Sequence, residues 1–292
     1  YFEDSPTLGP EEKRRHLTAW AALLEAADRL PDPAALGPLL DGVSREDRGL
    51  PDYAAATAAR SILSGLAALP PEFGDSIRRH TANTARGMAA WIRLGDDFPD
   101  EAALDRYMYE VAGRVGVLLT ELFAAYSVPI RRRSRFLLKR AVSFGLGLQT
   151  VNVIRGLHED PARGWSYVPR TILPGGERWS DPRRLGRDGR ERIVDFLVQK
   201  AGRHIADALA YCQDLPRTER GIRVFCVIPA LLAARTAEWS RGNPEVFEGP
   251  VKVSRSDVGK LVLRTRLLFF SNRWLEKERL RALALASGNG EG

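Results

Sequence analysis

The chain reads GLGLQTVNVIRGLHED over residues 145–160, and this stretch holds the side chains whose spacing best suits chemistry. Most of it is apolar, as a buried helix requires. Yet Gln149, Asn152, Gly156 and Asp160 recur at steps of three, four and four, which puts them on one helical face. Arg155 and Glu159 flank that face. An unpaired carboxylate or amide in a core is costly, so such a stripe needs either an internal hydrogen-bond network or a cavity holding a metal and an anionic ligand. Two adjacent carboxylates with a nearby arginine suit the second solution. Oxygen-seeking Mg²⁺ takes carboxylate, while a guanidinium grips phosphate oxygens. A second acidic pair, Glu3-Asp4, stands near the start of the chain. Neither pair is specific alone. His158, beside the acidic pair, reads as a hydrogen-bonding neighbour rather than a base.

These residues must be positioned by long amphipathic helices, because Pro and Gly break the chain into helical stretches and period-two alternation is nearly absent. Helices are predicted over residues 10–30, 52–68, 71–92, 101–126, 131–158, 190–214, 221–239 and 256–285. Residues 161–189, rich in Gly, Pro and Arg, are expected to be irregular, and 246–254 to form a small ribbon. The expectation is an all-α fold with residues 1–292 as one domain. The chain opens at Tyr1, and is read as lacking its natural beginning.

Composition narrows the class. A hydrophobic fraction of 44% permits a sizeable core, and no apolar run approaches the roughly 20 residues of a membrane span. The net charge of +7 and pI of 9.7 favour an anionic partner without choosing one. The basic run Arg131-Arg132-Arg133-Ser134-Arg135, with Lys139 and Arg140, has no aromatic interleaving for base stacking. Nucleic acid is therefore not the expected partner, and peripheral contact with an anionic membrane is the better functional option beside a plain solvated helix start. Cys212 and Cys226 have neither metal spacing nor a disulfide framework, in keeping with a cytoplasmic location, peripheral at the inner membrane face if the basic run is used.

The continuation NVIRGLHEDPARGWSYVP resembles the signature of the squalene and phytoene synthases, Asn-x-x-Arg-Asp-x-x-x-Asp followed by Gly-Arg and an aromatic-Pro ending. Tyr107-Met-Tyr-Glu-Val-Ala-Gly-Arg-Val-Gly116 is similar to that family's Tyr-rich Val-Ala-Gly helix. Phe225-Cys-Val-Ile-Pro229 and Val246-Phe-Glu-Gly-Pro-Val-Lys252 look closer to squalene synthases, and Glu3-Asp4-Ser5-Pro6 is similar to the end of the first Asp-x-x-x-Asp motif. The resemblance implies the isoprenoid-synthase fold, a helical bundle around a central cavity, and a bacterial-type, Mg²⁺-dependent enzyme of isoprenoid biosynthesis. It would join two farnesyl diphosphates to presqualene diphosphate and, with NADPH, reduce that to squalene.

The resemblance also implies roles. Glu3, Asp4, Asn152, Glu159 and Asp160 would serve Mg²⁺, with Gln149 on the same wall and Arg155 on the diphosphate. Tyr107 would assist proton removal and cation control, and Phe225 would line the pocket where the intermediate rearranges. Phe144 and Tyr167 are further candidate lining. Lys252, helped by Arg255, would contact the phosphates of NADPH. Three positions depart from the pattern. Gly156 replaces the second motif's leading aspartate, Trp165 replaces an arginine for which Arg163 is the nearest substitute, and Ser254 replaces a basic residue. These departures leave two other readings open. One is a related prenyl diphosphate enzyme making phytoene, hydroxysqualene or a cyclised product; the other is a non-catalytic scaffold of the same fold.

Overall fold

A computed structural model of the chain describes residues 2, 5–26, 36–37, 39, 41, 43–50, 52–95, 97–176 and 185–287, without the side chains of 163, 174 and 244. The described secondary structure is helical throughout, with no strand among the described residues, so the all-α expectation holds. Contacts divide the chain into two compact units, Tyr1–Gly95 and Asp96–Gly292.

In the first unit, α1 (Pro10–Ala26) packs on α4 (Pro71–Leu94), with the short helices α2 (Tyr53–Thr57) and α3 (Ala59–Ala67) between them in sequence. Pro71 starts α4 because its missing N–H falls where a helix has no partner for one. Ala21, Leu24, Leu36, Leu63, Ala82 and Ala85 form the core. The segment after Glu3-Asp4 is pinned by Asp47, which accepts from Ser5 Oγ at 2.6 Å and Thr7 Oγ1 at 3.0 Å. The sequence predicts one helix over 52–68, but the chain turns at Ala58.

The second unit is built around α9 (Arg187–Asp214), which packs against α8 (Ser134–Gly156), α10 (Arg220–Ser240) and α12 (Asn272–Ala286). The other helices are α5 (Glu101–Met108), α6 (Arg114–Tyr126), α7 (Val128–Arg131) and α11 (Arg255–Leu268). Asp100 caps α5 by accepting from Ala103 N at 2.8 Å. A π-helical turn, Tyr109–Gly113, joins α5 to α6.

Three further predicted elements differ. The long helix expected over 256–285 is two, because Ser271 Oγ accepts from Trp274 N at 3.2 Å and starts α12 afresh. The ribbon expected over 246–254 is instead a 3-10 turn, Pro244–Phe247, followed by irregular chain. Pro250 has no N–H for a ladder, and Asn243 Oδ1 caps the turn at Glu245 N, 3.0 Å away. The helix expected over 131–158 runs only from Ser134 to Gly156. Pro161 would clash with the carbonyl four residues back and disfavours helical geometry at Asp160, so the chain leaves the helix ahead of it.

Buried ions tie the helices together. Lys200, fully buried on α9, bonds Glu101 Oε1 at 3.0 Å and also Asp105, both on α5. Arg223, also fully buried, donates to Phe269 O at 2.6 Å and to Leu215 O and Asn272 Oδ1. One turn beyond Lys200, the pKa of His204 is pushed down to about 4, by burial first and then by the Lys200 charge. Folded His204 thus stays neutral where the unfolded chain takes a proton, and stability falls as pH drops from about 6.5 toward 4. Urea unfolding at neutral pH and near pH 5 is expected to show a loss of about 2 kcal/mol from this group, absent in His204→Gln.

Candidate active site

The site begins with a close approach of two backbones. A Cβ at Gly116 of α6 would collide with the carbonyl of Ala141 on α8, and one at Gly145 of α8 would collide with the carbonyl of Ala112 in the π turn. Only glycine allows this contact. The π turn adds a residue to its helix, a device found mostly at functional sites.

Beside this contact lies a cavity of about 430 Å³. Its walls are Leu119 and Phe123 of α6, Phe144 and Leu148 of α8, and Phe225 and Pro229 of α10. Tyr211 of α9 closes one side, with its ring edge-on to Phe144 at 5.5 Å and its hydroxyl 2.9 Å from Thr120 Oγ1. Burial raises the Tyr211 pKa, and raises that of Cys226 in the same wall to about 12, so both keep their protons. Phe225 is 57% exposed and edge-on to Phe123 at 6.1 Å, so it stands at the rim rather than in the interior.

Gln149 and Asn152 give the cavity its polar edge, with Asn152 Nδ2 donating to Gln149 Oε1 at 3.4 Å. The stripe read from the sequence as buried is therefore partly wrong. Asn152, Arg155 and Glu159 are exposed, and Asp160 lies past the helix in a 3-10 turn. Arg155 and Glu159, four residues apart, form no ion pair with each other. Glu159 instead has His158 Nε2 at 3.9 Å. Asp160 does share the Gly156 face, because its carboxylate occupies the space where a Cβ on Gly156 would stand.

Tyr107 and Tyr167 are brought together but do not line this cavity. Tyr107 is buried, its hydroxyl 3.4 Å from that of Tyr167, and the two rings stack at 5.5 Å. Phe98 and Trp165 extend the group, Trp165 lying nearly parallel to Tyr167 at 6.0 Å. Trp165, where the resemblance leads one to expect arginine, is thus an aromatic packing residue. Lys252 and Arg255 are exposed and line neither this cavity nor a second one of about 430 Å³ between α10, α11 and α12. Glu3 and Asp4 lie outside the described residues, as does the Arg163 side chain. Tyr211 and Thr120 were missed in the sequence, since a tyrosine at a core position of an amphipathic helix carries no pattern that marks it.

Residues 6–257 match the family described as Squalene/phytoene synthase. The chain belongs to the squalene/phytoene synthase family. It is 31% identical to the squalene synthase of Candida albicans over 217 residues, which are 71% of this chain and 48% of that protein. It is likewise 31% identical to that of Saccharomyces cerevisiae over 229 residues, 74% of this chain and 50% of that protein. The human squalene synthase is 30% identical over 187 residues, 61% of this chain and 42% of that protein. The matched part thus spans about half the length of these relatives. A solved structure of TcSQS in complex with the ligand E5700 superposes with a TM-score of 0.71, covering 99% of this chain and 86% of that one at 20% identity, a likeness of fold.

The acidic edge can be tested against the metal that the family implies. No group of three His, Cys, Asp or Glu able to hold a metal occurs among the described residues. Mg²⁺, however, is usually held by one or two carboxylates together with substrate phosphates. Glu159, exposed and held only loosely by His158, and Asp160 beside it fit that mode. Gly156→Ala tests the lodging of Asp160. The carboxylate is a mobile side-chain end, so alanine is expected to keep stability or raise it by up to about 1 kcal/mol while displacing that group. Titration of Mg²⁺ with pyrophosphate is expected to show several-fold weaker binding, with no further loss in the double variant with Asp160→Asn.

Proposed function

We propose that this chain is a Mg²⁺-dependent farnesyltransferase that joins two farnesyl diphosphates head to head, forming presqualene diphosphate and then squalene with NADPH as hydride donor. The observation that carries the reading is the apolar cavity of about 430 Å³ whose polar edge, Gln149 and Asn152, lies within a turn or two of exposed Arg155 and exposed Glu159. A prenyl diphosphate has this same division, a hydrocarbon chain ending in a highly charged head.

Each set of residues then has a task. Arg155 donates hydrogen bonds to diphosphate oxygens as negative charge builds on them. Glu159 and Asp160, with Asn152 alongside, hold Mg²⁺, and Glu3 and Asp4 are proposed as its other ligands. When bound, the metal neutralises the leaving group as a Lewis acid. Leu119, Leu148 and Pro229 keep water from the allyl cation, and the rings of Phe144, Tyr211 and Phe225 offer it their negative faces. Tyr107 is proposed for proton removal, with Tyr167 as its hydroxyl partner. Lys252 and Arg255, exposed and without an ion pair among the described residues, are proposed to take the NADPH phosphates. The setting is cytoplasmic.

One observation favours a second reading. Asp160 fills the gap left by Gly156, so the motif offers one carboxylate fewer than the family pattern. A relative that shares the first ionisation but releases phytoene, hydroxysqualene or a cyclised product ends by proton loss or capture of water and needs no hydride from NADPH. Incubation with farnesyl or geranylgeranyl diphosphate and Mg²⁺, with and without NADPH, separates the readings by product mass. NADPH-dependent squalene is expected, and a product unchanged by NADPH rejects it. Absence of diphosphate release from either substrate would mark the chain as a scaffold. Arg155→Gln is expected to lower kcat/KM by about 10²–10³-fold through the loss of one charge-stabilising donor, with the melting temperature unchanged.

A further inference from the structure

We infer that one end of the second unit, formed by the α6–α8, α9–α10 and α11–α12 turns, docks on an anionic lipid membrane. Side-chain bonds hold these turns together. Ser127 Oγ donates to Glu219 Oε1 at 2.7 Å, and Arg133 donates to Asp214 O at 3.1 Å, joining the first turn to the second. Buried Arg223 joins the second to the third through Leu215 O and through Phe269 O at 2.6 Å.

The assembled end is both greasy and cationic. Tyr126 is 73% exposed and Phe136 58% exposed, and Val128, Leu267 and Phe270 stand out beside them on the same three turns. Residues 126–140 hold six Arg or Lys, 264–273 hold three, and 214–223 hold Arg217, Arg220 and the buried Arg223, against the two acids Asp214 and Glu219. Some of these cations are already engaged. Arg131 caps the carbonyls of Ala124 and Ala125 at 3.0 Å each, and Arg140 pairs with Asp214 at 2.6 Å. Arg132, Arg135, Lys139, Arg217 and Arg266 have no carboxylate within ion-pair distance among the described residues.

Cations without a carboxylate call for an anionic partner. Tyr126, Phe136 and Phe270 are rings that a base could stack on, and Lys139 already lies 5.8 Å from the Phe136 centroid, but Val128 and Leu267 have no ring and their aliphatic groups are satisfied only by hydrocarbon. A bilayer surface supplies both needs at once, phosphates for the cations and acyl chains for the side chains between them. Among the described residues no helix is long and apolar enough to cross a membrane, so this contact would be peripheral. Phe123 at the cavity wall lies one turn before Tyr126, so under the proposed function the hydrocarbon cavity runs toward the lipid.

Sedimentation of the full chain with phosphatidylcholine vesicles, with and without phosphatidylglycerol, tests the inference without any substrate, and so independently of the proposed reaction. Binding is expected only with phosphatidylglycerol and should weaken as salt rises. Arg132→Glu with Arg135→Glu is expected to weaken it at least about tenfold. Tyr126→Ser with Phe136→Ser should do the same with the charge unchanged, as should Phe270→Ser on the third turn, by about tenfold or less. Arg60→Glu, an exposed charge reversal in the first unit, should leave binding intact. Circular dichroism melts confirm that each variant is folded. The inference is overturned by absent binding, by equal binding without phosphatidylglycerol, or by no response to the apolar substitutions. It is also overturned if duplex DNA binds more tightly than the vesicles and ignores those substitutions, which would assign the surface to a polyanion.

Discussion

The contact on which the second unit depends is the one between α6 and α8, where two helix backbones meet without side chains between them. Gly116 and Gly145 bring the carbonyls of Ala141 and Ala112 to where a Cβ would otherwise stand. Large residues cannot fill that line, so the bulk of both helices goes to its sides. Phe123 and Phe144 flank the contact, and α10 is held off far enough for a cavity to remain. A hole in a core is normally closed by collapse because its lining forfeits dispersion contacts. This one stays open because rigid backbone contact on one side and Pro229, which breaks the hydrogen bonding of α10, on the other resist collapse.

An open cavity weakens its own unit, and the ion network compensates at a distance. Lys200 and Arg223 are wholly enclosed, yet neither faces the cavity. Each reaches across helices to acceptors that no apolar side chain could satisfy, and removing one partner would leave a buried charge alone. Such bonds fix the register of α9 against α5 and of the α9–α10 turn against α11–α12 without filling the cavity. Rigidity here comes from directional bonds at the edges, not from density at the centre.

Much of this was legible in the sequence, and the failures have physical causes. The helical period and the breakers located most elements, because periodicity is a local property. Helix ends decided by one side chain were missed. Ser271 starts α12 inside a run of good helix formers that hid the break, whereas the end of α8 ahead of Pro161 was placed within two residues. The polar stripe was recognised but misplaced, since a period of 3.6 continues through residue 160 only if the helix does. Gln149, Asn152 and Phe225 line one cavity, while Tyr107 and Tyr167 form a separate stack. Lys252 and Arg255 stand elsewhere, because no local pattern says which helices will adjoin. The glycines of the Val-Ala-Gly-Arg-Val-Gly stretch resembled a family, but the reason for them is visible only where α8 arrives.

Gly156 joins these points. At the sequence level it looks like a lost ligand, a defect in an acidic motif. In the fold it is a seat: the chain turns back ahead of Pro161, and the Asp160 carboxylate occupies the volume that a side chain at 156 would take. A larger residue there would force that carboxylate outward, so the two positions cannot both present a full acidic side chain in the present arrangement. The departure from the family pattern is therefore better described as one carboxylate taking the place of two than as an empty position. That exchange leaves Arg155 and Glu159 untouched on the adjoining surface. It alters how much negative charge faces the cavity edge, and under the proposed function that charge would govern how firmly a metal–diphosphate head is held.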